Sequence, residues 1–565
     1  MPSLLTRRAM QFAVVACIST LLACSSDLPT AQDSVTGPLP PASVPPVEPA
    51  PIVAGDPALP SIFDASVATT PSSGRTLRVS AGGNLQRALD SAMYGDQLLL
   101  AAGATFTGNF VLPAKAGGLA GQWITVRTDG VLPAEGTRMT PTLATTLPKI
   151  VSASVLPALR TAPAAARWRF VGIEVTTETI VTVNQGLIFL GDGGGAQNTV
   201  TSVPTDLVFD RVYVHGHPKL DVRRCFALNS GKTALIDSYV SECHSSFDAQ
   251  AIGGWNGPGP YKIVNNYLEA AAEVIAFGGG DPSIPNLVPS DIEIRRNHLT
   301  KPMSWKGVWL AKNLLELKVG RRVLIEGNVM ENSYLDGQAG FAFVLWSVNQ
   351  QGTCTWCVTE DVTIRYNVIR NVAAGFQLTD KNDATSSPPM RRLAIRDNLL
   401  IGVDNPDLRG NGRLFQIGNI IPNLTIEHNT AFSPTNSSLI WAGQAPLPSH
   451  VVRNNLIGGG QYQIFTPSGQ GQLGWTHVAG AGSAFSGNVV ALADPATSPT
   501  GNYYPASMDA IGLAGGGAAA YSVTASPTDF VLTVNSPLKG KGTDGRDPGA
   551  NIAALVAAIQ GVVQP

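Results

Sequence analysis

Two carboxylates stand at the same distance from a glycine pair, in Asp248-Ala-Gln-Ala-Ile-Gly-Gly and Glu273-Val-Ile-Ala-Phe-Gly-Gly. If these segments stack, the carboxylates lie side by side. So placed, Asp248 and Glu273 could hold Ca2+ together with backbone oxygens, or share a proton as an acid/base pair. They could equally be structural, each accepting hydrogen bonds from loop amides at a corner. Cations flank them in the chain: Arg223, Arg224, His217 and His244 before, Lys301, Lys306, Lys312 and Lys318 after. Elimination across a uronic acid needs its carboxylate neutralised and a base for the neighbouring proton. Ca2+, Arg223 or Arg224 would fill the first role, Lys312 or Lys318 the second. GWNGPGP brings Trp255, able to stack on a sugar ring, and Asn256, while Trp305 lies in a second excursion beside the same region.

These groups are carried by a repeat. The phrase apolar-x-apolar-x-x-Asn-x-apolar recurs with Asn266, Asn297, Asn328, Asn367, Asn398, Asn429 and Asn455 in its polar place. Weaker copies upstream put Ser238, Val212 and Ile173 there. A fixed period of about thirty residues means a repeat architecture, and alternation such as Ile292-Glu293-Ile294 means strands buried on one face. The expectation is an all-β, single-stranded right-handed parallel β-helix of about ten or more coils. Each ladder Asn should take the left-handed turn conformation and hydrogen-bond to its neighbours along the axis. By parity Glu273 points with Ile275, so it belongs to a turn or is partly buried. A second strand of each coil leaves Glu316, Lys318, Gln377, Thr379 and Gln416 outward, a polar row suited to a linear polysaccharide.

Residues 1–24 read as an export signal: Arg7 and Arg8, an apolar run, then Leu21-Leu22-Ala23-Cys24, which is similar to a lipobox with Cys24 acylated; plain signal cleavage is the alternative. Residues 25–75 are Pro-rich and read as a tether. The β-helix is expected over 76–470, opened by a capping helix with Leu85, Ala88, Leu89 and Ala92 on one face and interrupted by a loop excursion at 130–165. Residues 471–565 read as terminal coils and a cap. The chain is thus expected at a bacterial outer membrane or cell surface, or else periplasmic or secreted. It touches membrane only through the lipid, and is a monomer. A net charge of −2 with 14% charged residues argues against nucleic acid. Cys354-Thr-Trp-Cys357 reads as a disulfide tying a loop, and Cys225 with Cys243 as a bridge between neighbouring coils.

With the ladder, the helix and the polar row, the chain over about 77–470 resembles the pectin-lyase-like superfamily. CFALNSGKTALIDSYVSECHSSFDAQAIGGWNGPGPYKIVNNYLEAAAEVIAFGG is similar, more narrowly, to exported bacterial β-helix repeat proteins without an assigned activity. The resemblance implies the fold. It transfers no catalytic residue, because the Asn-Thr-Asp, Asp-Asp and Arg-Ile-Lys strings of polygalacturonases are missing, as are the Trp-Ile-Asp-His and Arg-x-Pro-x-x-Arg segments of pectate lyases. Fold alone does not give function. What the residues allow is a polysaccharide lyase, ahead of a glycoside hydrolase, with Asp248, Glu273, Lys312, Lys318 and Arg224 in the chemistry. Trp255, Asn256, Arg223, Glu316, Gln377, Gln416 and His244 would bind substrate. The rival is a non-catalytic glycan-binding, adhesive or structural envelope protein on the same scaffold.

Overall fold

A computed structural model describes residues 55–66, 72–178, 183–382, 385–435, 438–443 and 446–563. The signal segment, Cys24 and most of the Pro-rich stretch lie outside them. Each coil contributes one strand to each of three long sheets, of 14, 13 and 13 strands. Called first, second and third in chain order, they open with Thr76–Val79, Thr105–Thr107 and Phe110–Leu112. Pairing between coils is parallel, with a single antiparallel pair at the end of the third sheet. The chain is therefore a parallel β-helix, roughly 60 Å long at the ordinary interstrand spacing.

One apolar core fills the interior, with like residues stacked coil upon coil: Ile263, Ile294, Ile325, Ile364, Ile395 and Ile426 from the first sheet, and Phe343, Phe376 and Phe415 from the third. The Phe343–Phe376 and Phe376–Phe415 rings stack with centroids 4.7 and 5.2 Å apart. Each such buried side chain stabilises the fold by about 1.5–3 kcal/mol. The asparagine ladder is present and fully buried. In it, Asn297 Nδ2 donates to Ile263 O (2.8 Å) and to Asn328 Oδ1 (3.1 Å), and the pattern continues beyond Asn455 to Asn488 and Asn502. The left-handed residue is not the Asn but the one before it: Asn265, Arg296, Tyr366, Asp397, His428 and Asn454 have φ of 52–58°. The ladder side chain must point inward, so its predecessor makes the bend.

Helix Leu85–Ser91, N-capped by Asn84, seats Leu85 and Leu89 in the core at the end of the solenoid, as expected of a cap. Two segments differ from the expectation. Within 130–165, Lys149–Ser152 and Leu159–Thr161 are regular strands of the second and third sheets; only the stretch before them is an excursion, packing Met139, Ala144 and Leu147 against Tyr213 and Tyr239. Residues 55–66 are not free tether but lie on the first sheet, where Ser61 N donates to Asp291 (2.8 Å) and Ala65 packs on Val208 and Ala234. Parallel coils run on past 470 to Val489–Ala491. Ala493 and Tyr504 pack on the core at this end, and Asn502 bonds Asn488 of the ladder. The residues that follow fold back over the outer face of the second sheet, burying Ile511, Phe530, Ile552 and Leu555 against Val329, Val368, Leu399 and Phe432.

Candidate functional site

Four consecutive strands of the third sheet, Arg224–Leu228, Gln250–Gly254, Glu273–Phe277 and Leu315–Leu317, carry the site on their outer face. Their alternation is broken in the same way each time. Cys225 and Phe226, Ala251 and Ile252, Val274 and Ile275, and Leu314 and Leu315 all enter the core as adjacent pairs. Two inward residues in a row send the preceding one outward, so Arg224, Gln250 and Glu273 form one paired row and Ala227, Gly253, Ala276 and Glu316 another. The parity expectation for Glu273 fails for this reason. Gly253 and Ala276 leave a hollow of about 40 Å³ walled by Arg224, Asp248, Gln250, Trp255, Glu273, Glu316 and Lys318. A water needs roughly 10–15 Å³ on this measure, so the hollow admits a carboxylate or a few waters and no sugar ring.

Polar groups here are nearly dry. Lys312 Nζ bridges Asp248 and Glu273, 3.2 Å from the latter. Gln250 Nε2 donates to Glu273 Oε2 (2.7 Å), and Lys318 Nζ lies 3.5 Å from Glu316 Oε1. Asn313 Nδ2 and the Trp346 indole N–H donate to Glu316 (3.3 and 3.4 Å), which is 1% exposed. Burial alone would raise both carboxyls. Lys312 and Lys318, with the hydrogen bond from Gln250, hold Glu273 below the ordinary range instead. Burial raises Glu316, Lys318 opposes it, and the Glu273 charge adds to the rise. Beneath them Lys301, 0% exposed, donates to Ala270 O (3.1 Å) and Ala272 O (2.6 Å); burial depresses it to about 7, against the pull of Glu273.

Arg224 stands apart. Among the described residues its guanidinium has no ion pair or hydrogen bond, and its Nε is buried without a partner. Its one contact of note is the Trp255 ring, 5.3 Å away. Burial lowers its pKa, Arg223 adds to this, and Asp248 and Glu273 oppose it.

Several expectations need correction. Glu273 pairs with Gln250 and not Asp248, a register two residues from the one the glycine pairs suggest; Lys312 nevertheless joins the two carboxylates. Neither lysine is placed as a base. Lys312 is held protonated by Glu273 and Asp248 despite its burial, and Lys318 by Glu316 and Glu273. The Lys312 ammonium fills the position expected for Ca2+. Among the described residues no group of three or more His, Cys, Asp or Glu side chains is arranged to hold a metal ion. His244 is buried, stacked on Trp309 (4.0 Å) with Trp305 edge-on (4.9 Å), bonded to Glu242 and away from the hollow. Asn256 spends its amide on Asp192 O, Gln197 O and the Ser283 and Ile284 amides, a loop-tying role. Trp255 walls the hollow, but its N–H bonds Gly193 O (2.7 Å) and Gly193 and Gly280 press on the indole, leaving little of it for a sugar.

Glu316 is buried, not exposed in the row. Gln377 and Gln416 do sit beside each other farther along the same face, with Val344 between Glu316 and Gln377. Arg223 reaches Asp248 O (3.4 Å) and Gln185 (3.4 Å) at the rim, and His217 only accepts from Lys219 N (3.2 Å) in a local turn. Both disulfides form, Cys225–Cys243 between strands of adjacent coils and Cys354–Cys357 within one loop. Gln250, Asn313 and Trp346 were not singled out from sequence. Stacking the segments on Ile252 and Ile275 finds Gln250 at once, because both isoleucines follow the polar residue by two.

No protein-family model matches the chain, and no curated protein does. Similar solved structures include a mannuronic acid specific polysaccharide family 6 lyase from human gut microbiota, at 13% identity over 76% of this chain and 91% of that one, TM-score 0.49. An alginate lyase from Paenibacillus sp. str. FPU-7 matches at 14% identity over 72% and 99%, TM-score 0.28. A pectate lyase matches at 14% over 85% and 96%, TM-score 0.29. At such values the likeness assigns no residue and no substrate.

Proposed function

We propose that this protein binds an acidic polysaccharide along the outer face of the third sheet, with a uronate carboxylate received by Arg224. The observation that carries this is the unpaired guanidinium. A half-buried cation whose Nε is buried without a partner is costly, and a hollow of carboxylate size beside it supplies the reason to keep it. The surroundings agree: Arg224, Lys312 and Lys318 bring three cationic side chains to this face, and Lys312 and Lys318 already have carboxyl partners while Arg224 has none among the described residues. Calorimetric titration with polygalacturonate and with alginate tests the reading; wild type should bind one of them and Arg224→Gln should not. Failure of both polymers to bind, or unchanged binding by the variant, would overturn it.

A second reading, β-elimination, is favoured by the Lys318 ammonium beside Glu316 and Glu273 on the wall of the hollow. A carboxylate neutralised at Arg224 is the electron sink this reaction needs, and Lys318 is the cation placed to protonate the leaving oxygen. Asp248, at 26% side-chain exposure the least buried of the three carboxyls, is the group left to take the proton. The ultraviolet absorbance of an unsaturated uronate product would establish this reading, and a flat trace with a bound polymer would leave binding alone. Export with acylation at Cys24 completes the proposal; loss of labelled fatty acid on Cys24→Ser is its check.

A further inference from the structure

The aromatic residues around the hollow are nearly all committed to the protein itself: Trp255 between loops, Trp305 and Trp309 against His244, Trp346 on Val344 and Ala374. Phe247 is the exception. It adjoins Asp248 at the rim, is 63% exposed, and no ring or cation of the described residues stacks on it. Its mount is stiff. Asp221 Oδ2 accepts from Ser245 Oγ (3.1 Å), Ser246 Oγ (2.7 Å) and Ser246 N (3.3 Å), and Ser245 Oγ in turn accepts from Phe247 N (3.1 Å). Leu310 N bonds Ser245 O (3.3 Å), joining this loop to the one that carries exposed Val308 and Met303. These bonds fix the backbone that carries the ring, so a large, mostly exposed apolar face is presented beside a charged hollow, as a ligand with an apolar face would need.

We propose that Phe247 is the stacking platform for a sugar ring of the bound polymer, next to the unit whose carboxylate meets Arg224, with Val308 and Met303 extending the apolar rim. A pyranose offers axial C–H groups on one face and hydroxyls at its edge. It can therefore lie on the phenyl ring while the chain stays hydrated. The proposal rests on the acidic-polysaccharide reading and adds a position to it.

The test is a length series of oligogalacturonates and alginate oligomers titrated into wild type, Phe247→Ala, Phe247→Trp and Arg224→Gln, with thermal unfolding of each. Phe247→Ala should weaken binding of the longer oligomers roughly five- to tenfold, the worth of an aromatic contact, while leaving the unfolding temperature unchanged. Phe247→Trp should restore affinity. Binding that depends on Arg224 but not on Phe247 overturns this inference and spares the reading beneath it. Failure of every oligomer to bind wild type overturns both. If Phe247→Ala alters self-association in sedimentation and not affinity, the rim is a contact between copies and the proposal falls.

Discussion

Replacing Arg224 with Met should cost binding and gain stability at once. The side chain keeps its length and loses the guanidinium, which has no hydrogen bond among the described residues and a buried, unpartnered Nε. An unsatisfied buried donor costs about 1–3 kcal/mol, and the Trp255 contact at 5.3 Å returns about 0.5–1 kcal/mol. The difference predicts that Arg224→Met is more stable by about 1 kcal/mol. Denaturant unfolding followed by circular dichroism would read this as a higher midpoint, compared between variants because a solenoid need not unfold in two states. Affinity moves the other way. A charge-assisted pair with a carboxylate is worth about 1.5–3 kcal/mol, a ten- to hundredfold loss. A variant destabilised by more than about 1 kcal/mol, with affinity retained, would mean that Arg224 is a structural cation whose partner the folded chain supplies.

Three further outcomes follow from the same contacts. Glu273→Gln removes the counter-charge of Lys312 and Lys318 and should cost about 3 kcal/mol, whereas Glu316→Gln removes a carboxyl whose ionised form burial already disfavours and should cost less; equal costs in chemical unfolding would refute this ordering. The Glu273 contribution belongs to a depressed pKa, so it is present above the unfolded value near 4.3 and lost as pH falls through the folded one. Lys301, depressed to about 7, binds its proton in the unfolded chain but not the folded one from there up to about 10.4. Wild type should therefore gain stability across that interval relative to Lys301→Met, at no more than about 1.4 kcal/mol per pH unit, and parallel pH profiles would disprove it. Asn328→Ala strands the Asn297 amides and Ile294 O and should cost about 3 kcal/mol, while Asn502→Ala at the ladder's end should cost less; thermal unfolding of the two compares them.

The scaffold was legible because its signal is repeated. Each Asn of the ladder is one of a series, so a single misreading cannot shift the register, and the alternation around Ile294 or Ile364 is enforced by the same core in every coil. The site was legible only as a list of residues. Asp248, Glu273, Lys312, Lys318 and Arg224 were all named from sequence and do converge, but roles were misassigned because charge pairing is set by distances that spacing does not contain. Lys312 falls between the two carboxylates through a loop that crosses a whole coil. Aligning Asp248 with Glu273 on their glycine pairs fails because Gly253 and Gly254 lie inside their strand while Gly278 and Gly279 lie beyond theirs, so the common ruler is the buried isoleucine.

A difference in turn length explains why a site exists at this place on a regular solenoid. Between the second and third sheets, the coil ending in Glu273–Phe277 turns in only Ala271 and Ala272, both fully buried. Its neighbours make the same passage with the longer stretches after Tyr239–Cys243 and after His298–Thr300. The long turns lean over the short one and meet across it through Leu310 N and Ser245 O, and Lys312 N reaches Ala271 O. The short turn thus becomes a floor, its carbonyls satisfied from below by Lys301 and its first strand residue, Glu273, sealed from water. In an unvarying repeat every outward residue would be solvated, and a carboxylate there would keep its ordinary proton affinity. Burying charge on the outside of a β-helix requires unequal coils, and the inequality falls on the strands that carry Arg224, Gln250, Glu273 and Glu316.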